Sequence, residues 1–305
     1  MSIADASLPR VVVFGEALTD FVRTGEHSWH SAAGGACWNV ARVTGTLGVA
    51  TGWAGSVSSD FFGHEIVDKS RAARLDMRFL QQVQRPPLIA MVYQPNPPLY
   101  FFLGNDAADL AFDEQQLPEG WRDACEIAHF GCISMVRQPL GERLLRIAGE
   151  LHARGVKISY DPNYRNLMGP DFPVLFERMA RLASIIKLSD EDLVQIYPGE
   201  APEAALARVR GFAPAALILY TRGASGILLH ATDGIVEQPA FSVTVADTVG
   251  AGDACIGGFI GSLLGDPGQP LSHHLRFAAA TAAVVCMHPG AYAPARAEVD
   301  RLLSH

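Results

Sequence analysis

Five short apolar runs constrain this chain more than any other feature: "VVVF" (Val11 to Phe14, ending at Gly15), and the runs within "EIAHFGCI", "VKISYDP", "SIIKLS" and "ALILYT". A strand with one face in water alternates apolar and polar side chains, whereas an unbroken run needs cover on both faces, the condition met by parallel strands in α/β proteins. Several segments between these runs read as helices. One is "LGERLLRIAGELHARG", where Gly155 suits the C-terminal cap. Strand, helix, strand repetition predicts an α/β fold of three layers, αβα, with a mostly parallel central sheet. Apolar residues make up 49% of the 305, enough for a large core, and neither a low-complexity linker nor an internal repeat divides the chain. A single domain over 1–305 is expected.

Two stretches break the rhythm. "LTDFVRTGEHSWHSAAGG" alternates weakly around a Gly-containing turn, and "PPLIAMVYQPNPPLYFFLG" reads as two strands around the turn "PNPP". Together, segments 18–36 and 84–106 predict a small extra β-sheet, a lid. Ligands of open α/β sheets bind beyond the carboxyl ends of the strands, so the residues just after each strand are the candidates for function.

Charge narrows the partners. The 24 Lys and Arg against 32 Asp and Glu give −8, with no dense basic block, which argues against a nucleic-acid or anionic-membrane surface and for small molecules. "MSIADASLPR" lacks a basic segment followed by an apolar run, and "FAAATAAVVCM" is too short to span a bilayer, so a soluble cytoplasmic protein is expected. Five scattered cysteines (Cys37, Cys125, Cys132, Cys255, Cys286) form no CxxC pair, and most read as buried thiols.

The stretch "DTVGAGDACIGGF", Asp247 to Phe259, joins glycines to carboxylates. If "FSVTVAD" includes a strand and "ACIGGFIGSLL" is a helix, then Gly250, Ala251, Gly252 and Asp253 form the turn at the helix N-terminus. Unpaired backbone N–H groups and the positive end of the helix dipole there make a cradle for an anion. The competing reading is a tight connection with Asp253 as an N-cap. Asp247, a second acid six residues earlier, favours ion handling and proton transfer. Gly257 and Gly258 each cost about 1 kcal/mol against alanine inside a helix, which predicts close packing on a neighbour. No GxxxxGK[ST] occurs, and Cys255 stands where the third glycine of GxGxxG would fall.

"DTVGAGD" resembles the C-terminal signature of the ribokinase-like (PfkB) carbohydrate kinases, and "GGACWNVARVTGTLGVATGWAGSVSSDFFG" resembles their N-terminal signature, in the expected order about two hundred residues apart. The resemblance implies ATP-dependent phosphorylation of an alcohol, usually on a sugar, with magnesium and in many members a monovalent cation such as potassium. It makes Asp253 the base and Gly250, Ala251 and Gly252 the anion hole. A carboxylate beside a helix N-terminus is expected to be a weak base, tolerable where the transition state is loose.

The same resemblance gives Asp20, Gly34, Gly35 and Asn39 to the sugar. It gives the sugar Asp161, Asn163 and Arg165 as well, in a "DPNYR" closest to the fructokinase and 2-keto-3-deoxygluconate kinase branch, and adds Tyr100 and Phe102 as lid walls. Many relatives carry an arginine near Leu103, where an acidic sugar would be met, so leucine there favours a neutral sugar, fructose first. On the nucleotide side stand Thr221, Gly223 and Gly226 of "YTRGASG" and Ser189 of "KLSDEDL". That last motif replaces the NxxE of the family, with Ser189 for Asn, Asp192 for Glu and Glu191 adjacent, leaving Asp192 or Glu191 for magnesium. "SDED" also reads as an N-capped helix start. Asp247 and the "HPGAYA" loop would flank the monovalent cation. The alternatives are a 2-keto-3-deoxygluconate or nucleoside kinase, or a sugar-binding protein without catalysis. A homodimer through the lid sheet is implied, since such a sheet leaves exposed edges.

Overall fold

The computed structural model describes residues 7–95 and 98–304. The "PNPP" turn falls partly outside the described residues, as does most of the N-terminal decapeptide.

Nine strands form the main sheet. In chain order they are β1 (Val11–Phe14), β4 (Thr51–Ser58), β5 (Leu80–Val83), β8 (Ile127–Gly131), β9 (Lys157–Asp161), β10 (Ile185–Ser189), β11 (Leu217–Thr221), β12 (Ile227–Ala231) and β13 (Gly234–Gln238). Their spatial order is β13-β12-β11-β10-β9-β8-β1-β4-β5. Every pairing from β5 to β11 is parallel; β12 and β13 close one edge as antiparallel strands.

Consecutive residues of β1 serve opposite layers. Val12 and Phe14 pack with one face's helices, α4 (Leu140–Ala153), α5 (Phe172–Leu182), α6 (Asp190–Ile196) and α7 (Pro202–Phe212), and with Trp121 of the short α3 (Trp121–Ala124). Val11 and Val13 pack with α1 (Ala36–Thr46), α2 (Phe61–Ala72), α8 (Ala251–Gly265) and α9 (Leu271–Cys286) on the other. All four β1 side chains are buried, and Phe14 stacks on Phe130 of β8 at 4.9 Å. Burying each such side chain stabilises the fold by about 2 kcal/mol. The predicted three-layer αβα fold is therefore observed. The last helix, α10 (Arg296–Leu303), packs on α9 through Val299. Gly155 follows α4 at φ +83°, as expected for a C-terminal glycine.

The lid is a four-stranded sheet, ordered β3-β2-β6-β7, built from β2 (Leu18–Arg23), β3 (Trp29–Gly34), β6 (Ile89–Pro95) and β7 (Pro98–Leu103). Opposed residues share a face of a sheet. Asp20 opposes Ala90, which opposes Phe102, so Asp20, Phe102 and Tyr100 lie on one face of the lid. Leu103, next to Phe102, lies on the other and is half exposed. Its side chain therefore does not share the lid face that carries Asp20.

One predicted strand is absent. "FSVTVAD" carries no sheet pairing; its end is tied instead to α9 by the amides of Ala246 and Asp247, both donating to the Cys286 carbonyl. Among the described residues no helix is long and apolar enough to cross a membrane. All five cysteines are free, and four are buried.

Candidate active site

The chain leaves β1 toward β4 on one side and later leaves β8 toward β9 on the other, so a crevice opens beyond the carboxyl ends of β1 and β8. Only three residues separate the end of β1 from the lid strand β2. Loops after β1, β8 and β9 and the start of α8 all reach this crevice.

Asp253 is the third residue of α8 and does not cap it: the helix begins at Gly250, in the left-handed region at φ +80°, with no side-chain cap. The Asp253 carboxylate is buried and accepts the Asn39 amide at 2.9 Å and, more distantly, that of Asn163 at 3.5 Å. Burial pushes the carboxyl above its usual range, partly offset by the Asn39 hydrogen bond and by Lys187 and Arg165. The sequence predicts a weak base from the helix N-terminus; desolvation wins and makes a stronger one.

The anion cradle differs in one member from expectation. The Ala251 amide donates to the Thr248 carbonyl at 3.2 Å and closes the turn, whereas the amides of Gly250, Gly252 and Asp253 have no partner among the described residues. Three donors remain at the start of a buried 15-residue helix.

Beneath the cradle lies Lys187, which in the sequence is only a charge within the apolar strand "SIIKLS" and gives no other sign of function. A Cβ added to Gly252 would stand 3.2 Å from Lys187 Nζ. Lys187 is buried and pairs with Asp161 at 3.4 Å and Asp192 at 3.6 Å. Burial by itself would lower its pKa, but these two carboxylates and Asp253 outweigh it and hold the ammonium charged. Asp161, at the end of β9, is pushed up to about 7 by burial, against the pull of Lys187.

Glu16 is a second site residue that sequence reasoning does not find. It is buried just after β1, accepts the Ala36 amide at the start of α1 at 3.1 Å, and accepts the Ser134 hydroxyl after β8. One carboxylate thus ties the three loops that border the crevice, and burial raises its pKa despite Ser134.

The lid supplies Asp20, whose carboxylate lies against Gly34; any side chain at Gly34 would collide with it. Gly35 sits at φ +115°, and a Cβ there would come within 2.7 Å of the Glu16 carbonyl. At both glycines the space that a side chain would take is filled by neighbouring protein. Burial pushes Asp20 up to about 6, with Arg165 opposing. Arg165 donates to the carbonyls of Asn163 and Tyr164 and lies over Tyr100 at 5.7 Å. Tyr100 stacks with Phe102, and Asn166 donates to the Tyr100 carbonyl at 2.8 Å, joining lid to β9 loop. The structure therefore gathers Asp20, Gly34, Gly35, Asn39, Asn163, Arg165, Tyr100 and Asp253 around one crevice, with Asp161 on its floor.

The nucleotide-side candidates lie next along the sheet edge. Ser189 and Thr221 are register partners on β10 and β11. Gly223 (φ +51°) faces open space, but Gly226 is required by protein, since a Cβ there would strike the Gln238 carbonyl. Ser189 and Asp192 form the capping box of α6, so "SDED" is a capped helix start. The two Asp192 oxygens accept the Tyr164 and Ser189 amides, each at 2.8 Å, and these with Lys187 hold its pKa low despite burial. Glu191 is exposed. Among the described residues no group of three or more His, Cys, Asp or Glu could hold a metal. Asp247 accepts the amides of Thr248, Val249 and Gly290, pinning the "HPGAYA" loop to the turn before α8, and no cationic side chain pairs with it among the described residues.

The chain is similar to known proteins over most of its length. The model of the pfkB family carbohydrate kinase matches residues 8–298. A fructokinase of Rhizobium leguminosarum bv. trifolii is 34% identical over 261 residues, covering 83% of this chain and 79% of that protein. The crystal structure of fructokinase with bound ATP from Xylella fastidiosa superposes with a TM-score of 0.87 at 26% identity, covering 97% of this chain and 99% of that one. Aminoimidazole riboside kinase from Salmonella enterica, complexed with aminoimidazole riboside and an ATP analogue, gives 0.84 at 27% identity over 96% and 99% of the two chains.

Proposed function

Because the chain belongs to the pfkB family of carbohydrate kinases, we propose that it transfers the terminal phosphoryl group of ATP to a hydroxyl of fructose. The observation that carries this reading is the pairing of a buried carboxylate free of any capping duty, Asp253, with unpartnered amides at the start of the same helix. Kinship with a relative called fructokinase supports fructose as the acceptor.

In this mechanism the sugar lies between the lid face of Asp20, Tyr100 and Phe102 and the loop of Asn163 and Arg165. Asp253 takes the proton of one hydroxyl as its oxygen bonds to the terminal phosphorus, and the bond from that phosphorus to the bridging oxygen breaks, releasing ADP. The amides of Gly250, Gly252 and Asp253, fixed before substrate arrives, meet the charge on the equatorial oxygens, with Lys187 beneath them. Its charge is shared with Asp161 and Asp192, so the cradle stays cationic only in part.

Asp192 and Glu191 do not fit a resident magnesium: one carboxylate is spent on backbone amides and the lysine, the other faces solvent. Magnesium enters as part of Mg–ATP, the substrate. Asp247 fits potassium better, as a carboxylate with amide partners and no cationic one; a monovalent cation there would steady the turn leading to Gly250. The proposed dimer pairs lids through the outward row of Trp29, Tyr93, Phe101 and Leu103, each at least 39% exposed; light scattering tests it, a monomer at high concentration counting against it. A cytoplasmic location, where ATP is at hand, is part of the proposal.

The experiment is ADP release with fructose, 2-keto-3-deoxygluconate, ribose, adenosine and aminoimidazole riboside. Fructose should give the largest kcat/KM. A preference for a nucleoside, the reading favoured by the aminoimidazole riboside kinase likeness, would replace it, and no release with any acceptor would leave a binding protein.

A further inference from the structure

We infer that the contact between Val43 of α1 and Gly257 of α8 positions the catalytic carboxylate, by fixing the separation at which Asn39 reaches Asp253. The inference rests on the kinase reading for its kinetic consequence and on packing for its cause. The two helices run side by side in a constant register. Asn39 meets Asp253, Val43 meets Gly257 and Leu47 meets Gly261, each pair four residues on from the last in both helices.

The separation is set by a missing side chain. A Cβ at Gly257 would lie 2.9 Å from Val43 Cγ1, 3.0 Å from Val43 Cβ and 3.3 Å from the Val40 carbonyl, where ordinary contact begins at 3.4 Å. Valine is held to essentially one rotamer in a helix, so it does not swing aside and α1 itself must move by several tenths of an ångström. Asn39, one turn before Val43, moves with it. Its hydrogen bond to Asp253, 2.9 Å long, then approaches the length at which such a bond ceases to count. Asn39 Oδ1 is buried without a partner among the described residues, so the Asp253 bond is what orients this amide.

Two neighbouring glycines separate this from mere crowding. Gly258 faces α9, where a Cβ would stand 2.6 Å from Thr281 Oγ1 and 2.8 Å from its Cβ, a tighter clash directed away from Asn39. Gly261 faces Leu47 through Cδ1 at 3.1 Å, the end of a flexible side chain that can turn away.

The test compares Gly257→Ala, Gly258→Ala and Gly261→Ala, reading the Asp253 carboxyl by carbon-13 NMR titration and the acid limb of kcat/KM with fructose. The groups facing Asp253 are Asn39 and Cys37 from α1, Asn163 and Arg165 from the β9 loop, Lys187 from β10, Tyr100 from the lid, Cys132 after β8, and the carboxylates of Glu16, Asp20 and Asp161. Cys37 and Asn39 both ride on α1, but Cys37 is a thiol that burial keeps neutral and it donates to the Gly131 carbonyl, so the hydrogen bond to Asp253 that moves with α1 is that of Asn39. Losing its bond removes a stabiliser of the ionised form, so Gly257→Ala should move the Asp253 titration and the acid limb to higher pH and lower kcat by about tenfold to a hundredfold. Gly258→Ala should lower thermal stability with neither shift, Gly261→Ala should do little, and the exchange Val43→Gly with Gly257→Ala should restore the wild-type titration. If Gly257→Ala does not fold, Val43→Ile crowds the same contact by one methylene and carries the same expectation. Titrations of Gly257→Ala and Gly258→Ala that coincide would overturn the inference even with an active enzyme. An absence of wild-type turnover would instead overturn the kinase reading, while the NMR titration still decides this one.

Discussion

Asn39 of the first helix donates its side-chain amide to Oδ2 of Asp253, 2.9 Å away and 214 residues later in the chain. The sequence resemblance gives this asparagine to the sugar; in the folded protein its amide holds the Asp253 carboxylate. The two glycine-rich segments at opposite ends of the chain thus meet in one hydrogen bond.

Replacing Asp253 with Asn removes the proton acceptor while keeping shape and size. Turnover should fall by about 10² to 10⁴-fold. Fructose binding, followed by calorimetry, should be nearly unchanged. Turnover equal to wild type would remove Asp253 from the base role.

Activity should fall on acidification at a pH above the ordinary carboxylate range. The base acts only when ionised, and burial raises the Asp253 pKa, so ionisation is lost as pH falls through that raised value. Asp20, raised to about 6, adds a separate effect: below about pH 6 it is protonated and accepts fewer sugar hydroxyls, so KM for the sugar should rise there. Replacing Asp20 with Asn should flatten the KM profile; a KM that still climbs below pH 6 in that variant would place the titration elsewhere.

Lys187→Met should destabilise the fold by about 3 to 5 kcal/mol, because it strands Asp161 and Asp192 together in the interior. The loss should be smaller at pH 5 than at pH 8. A carboxyl whose folded pKa is raised, as that of Asp161 already is, binds its proton more tightly in the folded state, so lowering the pH favours folding. Denaturant unfolding at the two pH values measures this; equal losses would show that Lys187 does not neutralise the pair.

Gly35→Ala should cost about 1 to 3 kcal/mol, since φ of +115° and a Cβ contact of 2.7 Å to the Glu16 carbonyl are both unfavourable. The disturbed loop carries Gly34 and abuts Asp20, so KM for the sugar should rise more than kcat falls. Steady-state kinetics on the folded variant decide it.

Much of this arrangement is legible in the order of the amino acids. The run Val11 to Phe14 announces a strand covered on both faces, and the glycines and acids near positions 34 and 253 announce a site because their spacing is local. Lys187 is not legible in that way. Its partners stand 26 residues before it and five after, and only the pairing of β9 with β10 brings them together. Glu16 is hidden for the same reason, its partners coming from α1 and from the turn after β8. "FSVTVAD" misleads because alternation records which side chains suit a strand and says nothing of what its backbone bonds to, here the end of α9.

The alternation of Val11 and Val13 with Val12 and Phe14 between the two helical layers does more than fill the interior. A slip of one residue in this strand would exchange every side chain between layers of different shape, so the frame is fixed by bulk packing alone. The same frame decides where the strand stops, and therefore how far along the chain Glu16 and Asp20 emerge. Hydrophobic fit far below the crevice is in this way the measuring rod for the acids at its rim, and repacking of the β1 core belongs among the changes that can mistune the chemistry.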